Sequence, residues 1–542
     1  MDAIFARADQ ATLPGAAVAI AVEGVPVYRK GFGLANMELP APLTPSMRMR
    51  IGSTTKHFAV LAYLLLCEEG KAGIDDEIGV HLPEIHEISR HVTVRQLMSH
   101  TSGLRDYLDI SMQFQGVGRP ISDAQMLAAY RTVNHVNCEP QTQWNYNNGG
   151  YVMLSIAIER LCGAPFDQVL RKRILDPVGM RDTMLRRWDS DFVENSATLH
   201  TCDAKGNFSR TYMGMELSGA GGMVSTMDDM LRWLRHMDAP KVGSTHTWAL
   251  MREPQRLVNG TSTAYGLGLR IERHRGVNIV HHRGGVLGGN SQMLKVPAAA
   301  LDISIAVNRS DLDASALTLD VVDACIEGLD PLANSPPPVL RTGTFVSRKT
   351  GRVAELSVAA GVQMMSLDGS LPMVLSEGPD GLLRPPETES RQRTVAPSEG
   401  ARPHTVALDD YGSVDMLQLL EIDKAVPERA VEGIFEAVEL GMTVQIVDTP
   451  SGPSMTSSGP YGSNRFALSA RGAGIWVANS VGAYAELSGI LTFAEDGSEF
   501  FFSTERTISL AFRRVGGLTV RDIHLPLEPQ VADASRVAGQ VS

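Results

Sequence analysis

Ser53 and Lys56 lie in RIGSTTKHFAVLAYLLLCEEG (Arg50 to Gly70), three positions apart at the mouth of an otherwise apolar helical pattern. Residues at i and i+3 share one face of a helix, so hydroxyl and amine can touch. A serine at a helix N-terminus also has its oxygen near backbone N–H groups, which can hold the oxyanion formed when it adds to a carbonyl. An amine kept neutral by burial and a nearby cation would accept the serine proton. The chemistry offered is covalent acyl transfer, although the pair alone also fits a capping serine followed by a solvated lysine.

Two more stretches bear on that choice. QWNYNNGGYVMLSIAIERLCG sets Tyr146, Asn147 and Asn148 just before Gly149, Gly150 and an apolar helix, so a phenol and an amide project from the turn that starts it. IVHHRGGVLGGNSQM sets His282, Arg283, Gly284 and Gly285 at a strand end, where glycines let another backbone approach closely. Taken singly, Tyr146 could be a core tyrosine and His282 a strand-edge histidine. Their joint occurrence, in this order and at separations of roughly 90 and 135 residues, points to one site.

Elements must bring these groups together. GAAVAIAVEGVPVYRKGFGLAN reads as an antiparallel hairpin turning at Glu23–Gly24. Helical patterns follow at 53–70, 94–98, 123–130, 150–162 and 226–237, and strand patterns return at 264–270, 277–282, 291–296 and 303–307. Strands, then helices, then strands predict an α+β domain whose antiparallel sheet is built from both ends of the segment. LANSPPPVLRTG breaks the pattern and marks a boundary, giving a catalytic domain over 1–331. Beyond it, short alternating runs between turn signals predict all-β modules, and KAVPERAVEGIFEAVE marks a second junction. The expected divisions are 332–425, 426–515 and an aperiodic tail over 516–542.

Composition narrows the partners. A net charge of −12 disfavours nucleic acid and anionic membranes, which reward a basic face. The longest apolar run, Phe58 to Cys67, is too short to cross a bilayer, and the N-terminus shows no signal-peptide pattern. Five scattered cysteines without a C-x-x-C pair suggest neither a disulfide framework nor a zinc site. A soluble cytoplasmic protein without metal or cofactor is expected.

With these three stretches the chain resembles the penicillin-recognising serine hydrolases, which hold class C β-lactamases, DD-peptidases, esterases and D-aminopeptidases. Their elements are S-x-x-K, Y-x-N and a K-T-G that many members replace with H-x-G. Here these are Ser53 to Lys56, Tyr146 to Asn148 and His282 to Gly284, with family-like stretches VTVRQLMSHTSGL, GAGGMVSTMDDMLRWL and YGLGLR. Within the group the chain most resembles the D-aminopeptidases, through SGLRDY and a long C-terminal extension that implies two antiparallel β-barrels behind a β-lactamase-like domain.

The resemblance implies roles. Ser53 is the nucleophile, Lys56 and Tyr146 handle its proton, His282 tunes the phenol, and Asn148 binds the substrate amide. Backbone N–H groups of Ser53 and Gly285 form the oxyanion hole, with Gly284 beside them. The product is an acyl-enzyme, the expected activity release of an N-terminal D-amino acid from a small peptide, amide or ester, and the expected assembly a homodimer. In D-aminopeptidases a last-barrel loop brings an aspartate to the substrate amine, whereas the matching VANSVGAYAE (Val477 to Glu486) has no aspartate and only Glu486 as an acid. Arg270 and Asn479 are carried as candidate substrate contacts; Arg270 stands where a neutral side chain is expected, and Asn290 where the family tends to have an arginine. An esterase, a β-lactamase-like or DD-peptidase-like hydrolase and a non-catalytic binder are the alternatives. No G-x-S-x-G elbow is present.

Overall fold

The computed structural model describes residues 1–331, 339–378, 380–385, 393–401, 403–421, 431–481 and 487–516. Most of both expected junctions, residues 482–486 and all of the tail except Gly516 lie outside the described residues.

A six-stranded antiparallel sheet organises the first part, in the order Arg270–His274, Val277–Val286, Gly289–Val296, Leu301–Val307, Ala16–Val22 and Val25–Phe32. The N-terminal hairpin joins the last strand in register, Ala16 opposite Val307 and Val22 opposite Leu301, as expected for a sheet drawn from both ends. Glu23 and Gly24 both have positive φ (52° and 72°), the twist a two-residue hairpin needs. Ala16–Val22 reads as an unbroken apolar run because both its faces are covered. Ala17, Ala19 and Ala21 pack into one core with the Lys56–Glu68 and Met227–His236 helices. Ala16, Val18 and Ile20 pack into a second core under the Ala314–Cys325 helix and Phe5.

One expected strand is displaced. The pattern over 264–270 is a turn, with positive φ at Ala264 and Gly268 and a Gly266 N–H bond to Leu269 O; the strand begins at Arg270. IERH escaped notice because its polar groups turn inward onto partners, Glu272 onto His281 and His274 onto Asp323. The helices Tyr107–Gln115, Thr245–Arg252 and Ala314–Cys325 were also not anticipated.

Two all-β modules follow. In the first, nine antiparallel strands run from Met373–Val374 round to Ser376–Glu377, so the two edges of the sheet are joined through Leu375 and it curls on itself around Phe345, Leu356, Met365 and Leu417. The second is a closed eight-stranded barrel, its first strand Gly433–Ala437 paired with its last, Leu510–Gly516.

This barrel shares one continuous apolar core with the catalytic helices. The bridge is Phe114 near the end of Tyr107–Gln115, fully buried with its ring centre 4.7 Å from that of Phe502, 5.0 Å from Phe512 and 6.5 Å from Phe466. Carbonyls at the end of a helix lack intrahelical donors. Here the barrel supplies them: Ser457 Oγ donates to Phe114 O at 2.7 Å and Asn464 Nδ2 to Gln113 O at 2.8 Å.

Candidate active site

Ser53 sits in a short 3₁₀ turn, Gly52–Thr55, that runs straight into Lys56–Glu68. Gly52 has φ +50°, and a Cβ there would lie 2.9 Å from Gly285 N and 2.7 Å from Gly285 O. A Cβ on Gly284 would meet Ile51 O at 1.8 Å. The glycines of the third motif therefore let strand Val277–Val286 lie directly against the nucleophile's turn, and Ser53 and Gly285 line the same cleft.

Lys56 is completely buried, and its Nζ lies 3.1 Å from Ser53 Oγ, 2.8 Å from Asn148 Oδ1 and 2.7 Å from Ala220 O. Burial holds this amine well below the ordinary lysine range; Asp106 pulls it back up and Arg506 pushes it further down. A neutral amine has two protons and one lone pair. Asn148 and Ala220 accept the two protons, and the lone pair is left for the Ser53 O–H.

The Tyr146 phenol lies near enough to the Ser53 hydroxyl for its pKa to be pulled down by it, and its ring covers the Lys56 amine at 4.8 Å. Burial pushes its phenol up to about 12, against opposing pulls from the Ser53 hydroxyl, Arg506 and Arg270. His100 packs on the ring at 4.1 Å between centres and accepts Asn147 N–H on Nδ1 at 3.0 Å. His100, in the family-like VTVRQLMSHTSGL, is a buried floor under Tyr146, at φ 60°.

Asn148 lines the cleft and is tied to its neighbours. Besides accepting from Lys56, it donates through Nδ2 to Asp106 Oδ2 at 3.1 Å, so one amide proton is left for the cleft. Asp106 caps Tyr107–Gln115 by accepting Leu108 N–H and also takes Gly149 N–H.

His282 is held at both ring nitrogens: Nδ1–H donates to Arg283 O at 2.7 Å, and the Tyr265 hydroxyl donates to Nε2 at 2.9 Å. Among the described residues no hydrogen bond joins His282 to Tyr146, so any influence on the phenol is indirect. Burial, with Lys56, His57 and Arg270 nearby, holds the imidazole well below its ordinary range. Tyr265 was overlooked as a partner, although it lies in the family-like YGLGLR.

The cleft has a volume of about 680 Å³ and draws its walls from all three β assemblies. Arg270 lines it, stacked 5.0 Å over Trp144 and paired with Glu272 at 3.1 Å. Asn290 lines it too, but its side chain ties Ala314 N–H and Leu312 O. Asn479 does not: it is exposed on strand Ile475–Ser480 and absent from the walls. Of Val477 to Glu486, residues 482–486 lie outside the described residues, and the adjoining Leu487 reaches the cleft.

A second barrel loop, residues 504–509, also enters, and it was missed. Glu505 and Arg506 line the cleft, with Arg506 5.1 Å from the centre of the Tyr146 ring. Two threonines pin the loop, since Thr504 and Thr507 hydroxyls donate to Asp109 Oδ2 at 2.7 and 2.8 Å. The nine-stranded sheet adds Leu371, Arg393 and Tyr411, whose ring packs 5.3 Å from Trp144.

Comparison with known proteins shows the family. Residues 1–326 match the family described as Beta-lactamase. The chain is 26% identical over 352 residues to a D-aminopeptidase of Gluconobacter oxydans, covering 64% of this chain and 66% of that one. It is 25% identical over 446 residues to a D-aminopeptidase of Brucella anthropi, covering 80% and 81%. An octameric penicillin-binding protein homologue from Pyrococcus abyssi shares the fold, with a TM-score of 0.54 at 21% identity over 75% of this chain and 96% of that one. Matched over more than half its length, and with the three motifs gathered round one cleft, the chain belongs to the Beta-lactamase family.

Proposed function

We propose that the protein is a serine hydrolase that forms an acyl-enzyme on Ser53 and releases N-terminal D-amino acids from small peptides, amides or esters. The observation that carries the reaction class is the buried Lys56 amine, held 3.1 Å from Ser53 Oγ with Asn148 Oδ1 and Ala220 O as its other partners, so that once deprotonated its lone pair has the Ser53 hydroxyl to act on. Ser53 attacks the carbonyl, Lys56 takes the proton, and Tyr146, whose ring covers that amine, relays it to the leaving amine or alcohol. Backbone N–H groups of Ser53 and Gly285 hold the oxyanion, and water releases the acyl group. The choice of D-amino acids is supported by the two relatives named D-aminopeptidase.

The test compares a D-alanine anilide, its L form, a p-nitrophenyl ester and a chromogenic cephalosporin. The D-anilide is expected to be turned over fastest; preference for the L form or for the cephalosporin would overturn the assignment. The same proposal holds that the protein is a cytoplasmic homodimer. Five unpaired cysteines support the reducing compartment, and sedimentation tests the dimer.

A further inference from the structure

Arg506 reaches the cleft with most of its hydrogen-bonding capacity unspent. Among the described residues its ion pair is a 3.6 Å approach to Asp106 Oδ2, and the Asp106 carboxylate already accepts from Leu108, Gly149 and Asn148. The Arg506 side chain is 40% exposed. A guanidinium presents five N–H donors in a planar fork that matches a carboxylate.

The loop that presents it is built to hold still. Besides the Asp109 anchor, Asn137 Nδ2 donates to Arg506 O at 2.6 Å, Asn137 Oδ1 accepts Ile508 N–H at 2.9 Å, and Asn145 Nδ2 donates to Glu505 O at 3.2 Å. A fork held in place before binding avoids the cost of ordering it. Of the described arginines lining the cleft, Arg506 and Arg283 make the loosest carboxylate contacts, and Arg506 is the one beside the Tyr146 ring. Arg270, Arg283 and Arg393 each have their own carboxylate partner (Glu272 at 3.1 Å, Asp313 at 3.8 Å, and Asp410 with Glu505), and Glu505, the one acid among the described lining residues, is bound to Arg393 at 2.7 Å.

We infer that Arg506 binds a carboxylate of the substrate, so that the preferred substrate is either an acidic D-amino acyl compound or a short peptide whose terminal carboxylate falls beside Tyr146. This rests on Ser53 acting as the acylated nucleophile.

Three matched pairs test it on the full-length protein. D-Glu against D-Gln p-nitroanilide probes a side-chain carboxylate, and D-Ala-D-Ala against its C-terminal amide probes a chain-end one. p-Nitrophenyl hemisuccinate against p-nitrophenyl butyrate probes a carboxylate without stereochemistry. The quantity read is the ratio of kcat/KM within each pair, which cancels any effect of Arg506 on Lys56. At least one ratio is expected to favour the carboxylate by about tenfold or more, chiefly through KM, since a charged hydrogen bond is worth that much. Arg506→Gln should bring that ratio close to one, and Arg506→Lys, which keeps the charge but not the fork, should leave an intermediate value. Ratios near one in the natural protein, or unchanged in both variants, would overturn the inference. Turnover of the ester pair with none of the D-substrates would instead sink the D-amino acid assignment, and the ester ratio would still decide on Arg506.

Discussion

Two charges of opposite sign act on Lys56 from outside its helix, and neutralising each should move activity in opposite directions. Lys56 Nζ is 4.8 Å from the centre of the Tyr146 ring, and the Arg506 guanidinium carbon is 5.1 Å from that same centre. The two cations are thus within about 10 Å, where an effective dielectric of about 20 gives a repulsion of about 1.7 kcal/mol. Because the Arg506 side chain is 40% exposed, solvent screening reduces this to about 1 kcal/mol, roughly a fivefold change in the protonation equilibrium of the amine. The neutral amine is the active form, so activity rises as pH climbs through the Lys56 pKa. Arg506→Gln removes a charge that lowers that pKa, and the acid limb of the rate profile should move to higher pH. Asp106→Asn removes a charge that raises it, and the limb should move to lower pH. The assay is kcat/KM against pH on p-nitrophenyl butyrate, which has no titrating group, with melting curves to confirm that both variants are folded. Limbs that move in the same direction, or that stay in place in both variants, would refute the assignment of Lys56 as the proton acceptor.

Ser53→Ala should abolish turnover without changing the melting temperature; measurable acylation of that variant in a mass spectrum would exclude Ser53 as the nucleophile. Lys56→Ala should reduce kcat by roughly 10²–10⁴, the usual contribution of a positioned acid or base. Phe114→Ala empties a fully buried site between three barrel phenylalanines and should cost about 3–5 kcal/mol in denaturant titrations, with loss of activity as the barrel loosens. Asp109→Ala leaves the Thr504 and Thr507 hydroxyls without their acceptor, at about 1–3 kcal/mol each where they stay buried, and should raise KM for carboxylate substrates. Asp109→Asn retains an acceptor oxygen and should restore most of that loss.

The nucleophile pair was readable from sequence because helical spacing alone sets Lys56 beside Ser53, and the remaining motif residues were readable because each announces a turn or a strand end. The Tyr107–Gln115 helix was not readable, for a physical reason. It is short and carries aspartate, serine and glutamine, and its terminal carbonyls are satisfied by Ser457 and Asn464, which are more than 300 positions away. Arg506 was hidden for the same kind of reason, because STERTIS between two strands looks like an ordinary turn until Asp109 is found beneath its threonines. The strand beginning at Arg270 defied period-two reading because it buries charge against charge instead of apolar side chains.

The Phe114 bridge and the Arg506 loop also set when the enzyme comes alive. A ribosome delivers Ser53 and Lys56 about 450 residues before Arg506. Until the final barrel has emerged and closed around Phe114, a nascent chain carries its nucleophile beside an unfinished cleft, without the arginine that adds to burial in holding Lys56 below its ordinary range. Premature termination or a proteolytic nick ahead of the last strand would therefore leave a fragment with Phe114 uncovered and no arginine beside Tyr146.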